Sequence, residues 1–461
     1  MSRRAAVAVL CAVLLLTTTG CPGGEDGEPP RAAAGNAWEP QPCPSDVEVL
    51  VVPSHSCGWV EAPLGDSAQQ VFVVVVEPAT PSDDAPILET GTDLGMVPNY
   101  AGLAPIAQRT GRRTAIVDLP GTGHSVPSLD CPDAEAVGDV SRDDPVLLDA
   151  IGDCRDRLLA EGVDPALMTP ARSAEALLAV MDALDEGPWV LMGHGTTSAL
   201  AVEVARANPA RVEAVVMDTP VHAHRGWPAR RAALIRAVAA ACDGVRRCLR
   251  RHGDVRDLWT AARLRARTDP VHLGGRVLDL DLLDRAVRWL VAPVAAGPAR
   301  LPALLEEAAR GRRGPVLEEL GAALEEAPPL CVGILPKCSS RRQVVLGAVL
   351  SSVCAQGAGA AEYARPCELW GVAEHPDEAA PALEVPVLVL QGAFDPYASP
   401  AEVTDVVEKW APDAHVVVAP DLGHNVLGDE CVRSIRSAWL AGNSDRAPEI
   451  PACLDEEMRF P

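Results

Sequence analysis

Short apolar runs, bounded by polar or turn-forming residues, recur along the first half of the chain. Val47 to Val52 (VEVLVV), Val71 to Val76 (VFVVVV), Ile87-Leu88, Thr114 to Val117, Trp189 to Met192 and Val212 to Met217 are nearly continuous in apolar residues and rich in β-branched ones. That is the pattern of strands covered on both faces. Between them the period becomes helical. Tyr100 to Gln108 reads as a helix, and Ala174, Leu177, Leu178, Val180, Met181 and Leu184 predict another over 171–184. Strands alternating with helices imply an α/β fold with a mostly parallel sheet.

From about His222 to Glu374 strand-like runs nearly vanish. Leu234, Val238, Ala241, Val245 and Leu249 mark one helical face, and 278–290 and 301–324 also predict helices. The alternation resumes with 385–390, 403–410 and 415–419, and a last helix is expected over 431–440. The expected organisation is a core over 46–221, a helical cap over 222–374, and the second part of the core over 375–461.

The run Trp189 to Met192 enters Gly193-His194-Gly195-Thr196-Thr197 and leaves as the alanine-rich helix of Ser198, Ala199 and Leu200. Strand, glycine turn and helix are the setting of a nucleophile elbow, G-x-S-x-G. Gly195 stands where the attacking hydroxyl belongs. Asp395 follows the strand-like Val387 to Leu390 and His424 follows His415 to Ala419, so acid and base positions come after the elbow in the order this fold uses.

The amino terminus adds a compartment. Arg3 and Arg4, the apolar stretch from Ala5 to Leu16 and the small residues before Cys21 read as a secretory signal over 1–20, too short to span a membrane. Cysteine after Thr18-Thr19-Gly20 resembles a bacterial lipobox, with Cys21 lipidated; the alternative is cleavage without a lipid. Residues 21–45, rich in Pro, Gly and acidic groups, read as a tether. Of 14 cysteines, those outside the signal and the lipobox form an even set with no C-x-x-C pair, which in an exported chain suggests disulfides. A net charge of −24 argues against nucleic acid as partner. No cofactor is expected. A metal on His194 with His424 and Asp395, or on the His222-x-His224 pair, is not demanded by any spacing.

Beyond the elbow, the chain resembles exported bacterial α/β-hydrolases of the tripeptidyl aminopeptidase and proline iminopeptidase kind. The motifs that carry this are Ser56 to Leu64 (SCGWVEAPL), Pro120 to Ser125 (PGTGHS), Ser128 to Pro132, Cys154-Arg155-Asp156, Cys367 to Trp370, Gly392 to Pro396 (GAFDP) and Gly423 to Gly428 (GHNVLG). The resemblance implies an α/β-hydrolase fold with a cap insertion, a Cys131–Cys154 disulfide, a small cap disulfide between Cys242 and Cys248, and terminal cysteines at Cys431 and Cys453. It also implies Asp395 as acid and His424 as base. Two departures set the functional expectation. The family has serine at Gly195 and glycine at Thr197, and its oxyanion loop G-G-P-G-x-S reads here Thr90-Gly91-Thr92-Asp93-Leu94-Gly95. Gly91, Thr92, Asp93 and Thr196 occupy the oxyanion positions, where a carboxylate facing the site would repel developing negative charge. The expectation is a protein anchored by lipid to the periplasmic or cell-surface face of a bacterial membrane, its only membrane contact, which lacks serine chemistry and binds a peptide or small molecule. The alternative is a hydrolase using Thr196, Thr197 or Ser198, or water activated by His424 and Asp395.

Overall fold

The structure, a computed structural model, describes residues 38–47, 54–91, 95, 97, 100–137, 143–184, 187–221, 227–273, 275–291, 297–326, 344–357, 363–373, 382–442, 447–455 and 460. Most of the VEVLVV run lies outside them, as do Cys21, Thr92, Asp93, His222 and His224.

A long antiparallel hairpin, β1 (Ser54–Leu64) and β2 (Ser67–Glu77), forms one edge of the main sheet. The sequence reading treated Ser56 to Leu64 only as a motif, because its polar residues and Pro63 interrupt the apolar run; in the sheet they take the outer side of an alternating strand. Next come β3 (Ile87–Glu89), α1 (Leu103–Thr110), β4 (Thr114–Val117), α2 (Pro132–Val137), α3 (Pro145–Ala160) and α4 (Pro170–Ala183). The elbow region is β5 (Trp189–His194), α5 (Thr197–Ala207) and β6 (Val212–Asp218).

The helical stretch that follows holds α6 (Trp227–Gly244), α7 (Arg246–His252), α8 (Val255–Thr268), a small hairpin of β7 (Val271–Leu273) and β8 (Arg276–Leu278), then α9 (Leu280–Val291), α10 (Gly297–Arg310), α11 (Pro315–Glu326), α12 (Leu346–Ala355) and α13 (Ala364–Trp370). The helix expected over 301–324 is two. Gly311, at φ +67°, closes α10 in the left-handed region, and Pro315 opens α11 where its missing N–H costs nothing. The hairpin went unseen because strands of three residues carry no readable period.

The core resumes with β9 (Val387–Gly392), α14 (Pro400–Trp410), β10 (His415–Ala419) and α15 (Glu430–Ala441). The apolar residues from Val403 to Trp410 are a helix, started by a capping box in which Ser399 and Glu402 satisfy each other's backbone N–H.

Eight strands run β1-β2-β4-β3-β5-β6-β9-β10, antiparallel through β4 and parallel from β4 onward. Period-2 geometry splits each strand between two cores. Leu191, Met217 and Val389 pack under α4, α5 and α14, while Val190, Met192, Val216 and Leu388 pack under α1 and α15. Both faces are covered, so the strands carry almost no polar residue until their carboxyl ends. Helices α6 to α11 share a separate core, whereas α12 and α13 pack on α2 and α3 and are tied to each other by Cys354–Cys367.

Among the described residues five disulfides are formed: Cys43–Cys57, Cys131–Cys154, Cys242–Cys248, Cys354–Cys367 and Cys431–Cys453. They indicate an oxidising, extracytoplasmic environment. Cys242–Cys248 joins the last turn of α6 to α7, two helical positions and not a loop. Among the described residues no helix is long and apolar enough to cross a membrane.

Candidate functional site

β5, β6 and β9 are adjacent and parallel, so their carboxyl ends bring Gly195, Asp218 and Asp395 to one edge of the sheet, where ligands bind in open α/β folds. Gly195 sits at the apex between β5 and α5 with φ +54°, a conformation that glycine adopts without the Cβ penalty. Its N–H donates to the Asp218 carbonyl (2.9 Å), and its own carbonyl accepts from Val221 (3.0 Å) and Ser198 (3.3 Å). The sharp bend of an elbow is therefore present, with no side chain at its tip.

Of the hydroxyls beside the apex, that of Thr197 is placed for structure. Thr197 is fully buried. Its Oγ1 accepts the His194 N–H (3.0 Å) and lies within donating distance of the carbonyls of Gly91 (2.8 Å) and His194 (2.9 Å), which staples the elbow to the loop after β3. Ser198 is also fully buried, and its Oγ has no hydrogen-bond partner. Thr196, half-buried, is the residue before α5 and gives it no side-chain cap. Of the oxyanion-loop positions, Gly91 is held at φ +93° beside Thr197.

The opposite end is complete. His424 Nδ1 and Asp395 Oδ2 are 2.8 Å apart, both residues buried. Asp395 also accepts from the backbone N–H of Tyr397 (2.7 Å) and Ala398 (3.3 Å) and from Gln391 Nε2 (3.2 Å). With that saturation the carboxylate orients the ring, and its Nδ1 contact leaves Nε2 on the outer edge. The Tyr397 ring meets His424 edge-on at 4.7 Å, and Tyr397 also lines a cleft of about 170 Å³ with Pro220, Arg230, Val403 and Trp410.

A second pair was not foreseen. His194 Nδ1 lies 3.0 Å from Asp218 Oδ2, and the His194 and His424 rings sit 5.0 Å apart. Asp218 further accepts the N–H groups of Val426 (3.1 Å) and Leu427 (3.4 Å), just past His424. The signal was in the sequence: Asp218 is the first charged residue after the apolar end of β6, at the edge where sites form.

Behind these pairs lie Glu89, at the end of β3, and the buried Arg436 of α15. Desolvation pushes the Glu89 carboxyl up to about 7, against the pull of Arg436 and His194. Burial lowers Arg436 to about 10, and its Nε and Nη2 have no hydrogen-bond partner. Among the described residues no cluster of three or more His, Cys, Asp or Glu is placed to hold a metal ion.

The turn at Pro120 to Ser125 braces the fold. Ser125 Oγ donates to the Asp118 carbonyl (2.6 Å) and accepts the Phe72 N–H (2.9 Å), while Trp59 Nε1 donates to the His124 carbonyl (3.0 Å). The Asp118 carboxylate beside the His124 ring raises that imidazole above its ordinary range.

Strand order, elbow, and acid and base loops define the class: an α/β hydrolase. The family model described as alpha/beta hydrolase fold matches residues 91–267, and the model described as TAP-like protein matches 353–449. The chain is an α/β hydrolase resembling the tripeptidyl aminopeptidases, and its own elbow carries Gly195. Among solved structures it is similar to proline iminopeptidase of Mycobacterium smegmatis, at 20% identity over 84% of this chain and 98% of that one, with a TM-score of 0.44. It is also similar to a thermophilic esterase of Thermogutta terrifontis, at 15% identity over 83% and 98%, TM-score 0.40. A carboxylesterase of Bacillus subtilis follows at 12% identity over 83% and 89%, TM-score 0.39. Comparison with curated proteins returns no match.

Proposed function

We propose that this chain is an exported, lipid-anchored member of the hydrolase family that has given up covalent acyl transfer and uses its retained pocket to bind a peptide or small ligand. The observation that carries the reading is Gly195 at the elbow apex, with the hydroxyls of Thr197 and Ser198 buried. Acyl transfer in this fold needs an activated hydroxyl beside the imidazole, and neither buried group is placed to serve as one. The cleft that shares Tyr397 with His424 supports ligand binding. A fluorophosphonate probe tests the reading: the natural protein stays unlabelled, and Gly195→Ser becomes labelled at position 195. Labelling of the natural protein at Thr196, Thr197 or Ser198 overturns it. Anchoring is tested by mass spectrometry of the mature amino terminus; an unacylated Cys21 in membrane-extracted protein overturns that part alone.

One observation favours a second reading, hydrolysis by activated water. His424 on Asp395 remains fully assembled, and His194 on Asp218 sits beside it. Turnover of aminoacyl or short-ester substrates without probe labelling, abolished by His424→Ala, selects this reading; no turnover rejects it.

A further inference from the structure

The helical stretch carries a charge reversal that the site does not use. Helices α6 to α8 hold eleven arginines against two aspartates, with a third, Asp254, capping α8, in a chain whose net charge is −24. The reversal concentrates on α7. Its buried side is Cys248, in the disulfide with Cys242, and His252, whose Nδ1 lies 2.5 Å from Glu306. At about 100° per residue, Arg246, Arg247, Arg250 and Arg251 fall within one arc of roughly 140°. All four are exposed, and Leu249, 42% exposed, borders them.

The acidic groups near this face are engaged elsewhere. Asp243 and Asp254 both pair with Arg256, and Glu306 pairs with His252 and Arg310. Among the described residues, none of the four arginines has a hydrogen-bond or ion-pair partner. Two anchors on the buried side fix the helix, so these guanidiniums form a standing array whose complement is a surface of closely spaced anions.

We propose that this face of α7 docks on anionic phospholipid headgroups, giving the folded body a second hold on the membrane besides the amino-terminal anchor. The inference rests on the reading that the chain is exported and anchored. From Trp38 on, the expected tether is bound to the body, through the Trp38 N–H to the Ala183 carbonyl and through Cys43–Cys57. The stretch before it would keep the body within reach of the bilayer, and the rest of the body, strongly acidic, is repelled by an anionic surface. This patch carries the complementary charge, so docking through it also sets the orientation of the body.

The test uses the mature chain from residue 22, with its disulfides formed and no acyl group, in co-sedimentation with vesicles. Binding to phosphatidylglycerol–phosphatidylcholine vesicles is expected, with none to phosphatidylcholine alone and a steep loss as salt rises. Replacing all four arginines (Arg246→Gln, Arg247→Gln, Arg250→Gln, Arg251→Gln) should weaken binding on the order of 10²–10³-fold, at about fivefold per charge. The four Arg→Lys replacements should keep it, and an unchanged melting temperature in both variants shows that the fold is intact. Equal binding to both vesicle types, or undiminished binding by the glutamine variant, overturns the proposal. So does self-association abolished by the same replacements, or retention on immobilised heparin without vesicle binding. Because the protein tested has no lipid, failure here is separate from failure of the anchor at Cys21.

Discussion

The two ends of the candidate site, His424 with Asp395 and the elbow at Gly195, differ in what holds them. Asp395 accepts four hydrogen bonds, and three come from groups other than His424. Its removal would strand buried donors whatever became of catalysis. At the elbow the apex is held by backbone bonds, while the Thr197 hydroxyl serves the joint with the Gly91 loop and the Ser198 hydroxyl has no hydrogen-bond partner. Side chains with a structural duty are present at one end; at the other, the apex carries no side chain.

The largest expected effect comes from refilling the empty end. Gly195→Ser should convert a protein inert to fluorophosphonate into one labelled near stoichiometrically, read by intact mass. The same change places a Cβ at φ +54° and should cost about 1–2 kcal/mol in chemical denaturation. Labelling without that loss would show that the apex relaxes. Next, Asp395→Ala should destabilise the fold by about 2–4 kcal/mol, because it orphans the Tyr397 and Ala398 N–H groups and the His424 ring. A loss no larger than that of an exposed aspartate would erase the contrast drawn above.

A third effect is a pH dependence from behind the site. Glu89 titrates near 7 when folded, against an ordinary 4.5, so the folded protein holds a proton there that the unfolded chain releases. Its contribution is full below about pH 4.5 and falls away as pH rises toward about 7, by roughly 2–3 kcal/mol. Glu89→Gln should flatten the fall, measured as urea midpoints across that window; a parallel pair of curves would rule out the assignment. The smallest effect belongs to Ser198→Ala. Its Oγ is buried without a partner, so the change should be neutral or stabilising by up to about 1 kcal/mol, with ligand binding unchanged. A large loss of function in that variant would make Ser198 an active group.

The sequence exposed the core strands and the elbow because both faces of the sheet are covered, and burial writes itself as unbroken apolar runs. Asp395 and His424 were legible from their places after β9 and β10. Asp218 was legible only by its place at the end of β6 and not by its partners, since His194 and the Val426 loop reach it from other parts of the chain. Nor was the parting of α12 and α13 from the other inserted helices, because a helical period says which face is buried and not against what. The break at Gly311 shows the converse: a local signal, glycine then proline, that outweighs a run of well-spaced leucines and valines.

Asp218 ties these strands of argument together. One carboxylate at the end of β6 grips the ring on the elbow and the backbone just past His424, so the two ends of the candidate site share a structural rivet. Any lineage that keeps this rivet for foldability also keeps its imidazoles aligned, with no substrate required to maintain them. Since glycine and serine codons can differ by a single base, such a molecule stands one substitution away from a hydroxyl at its elbow.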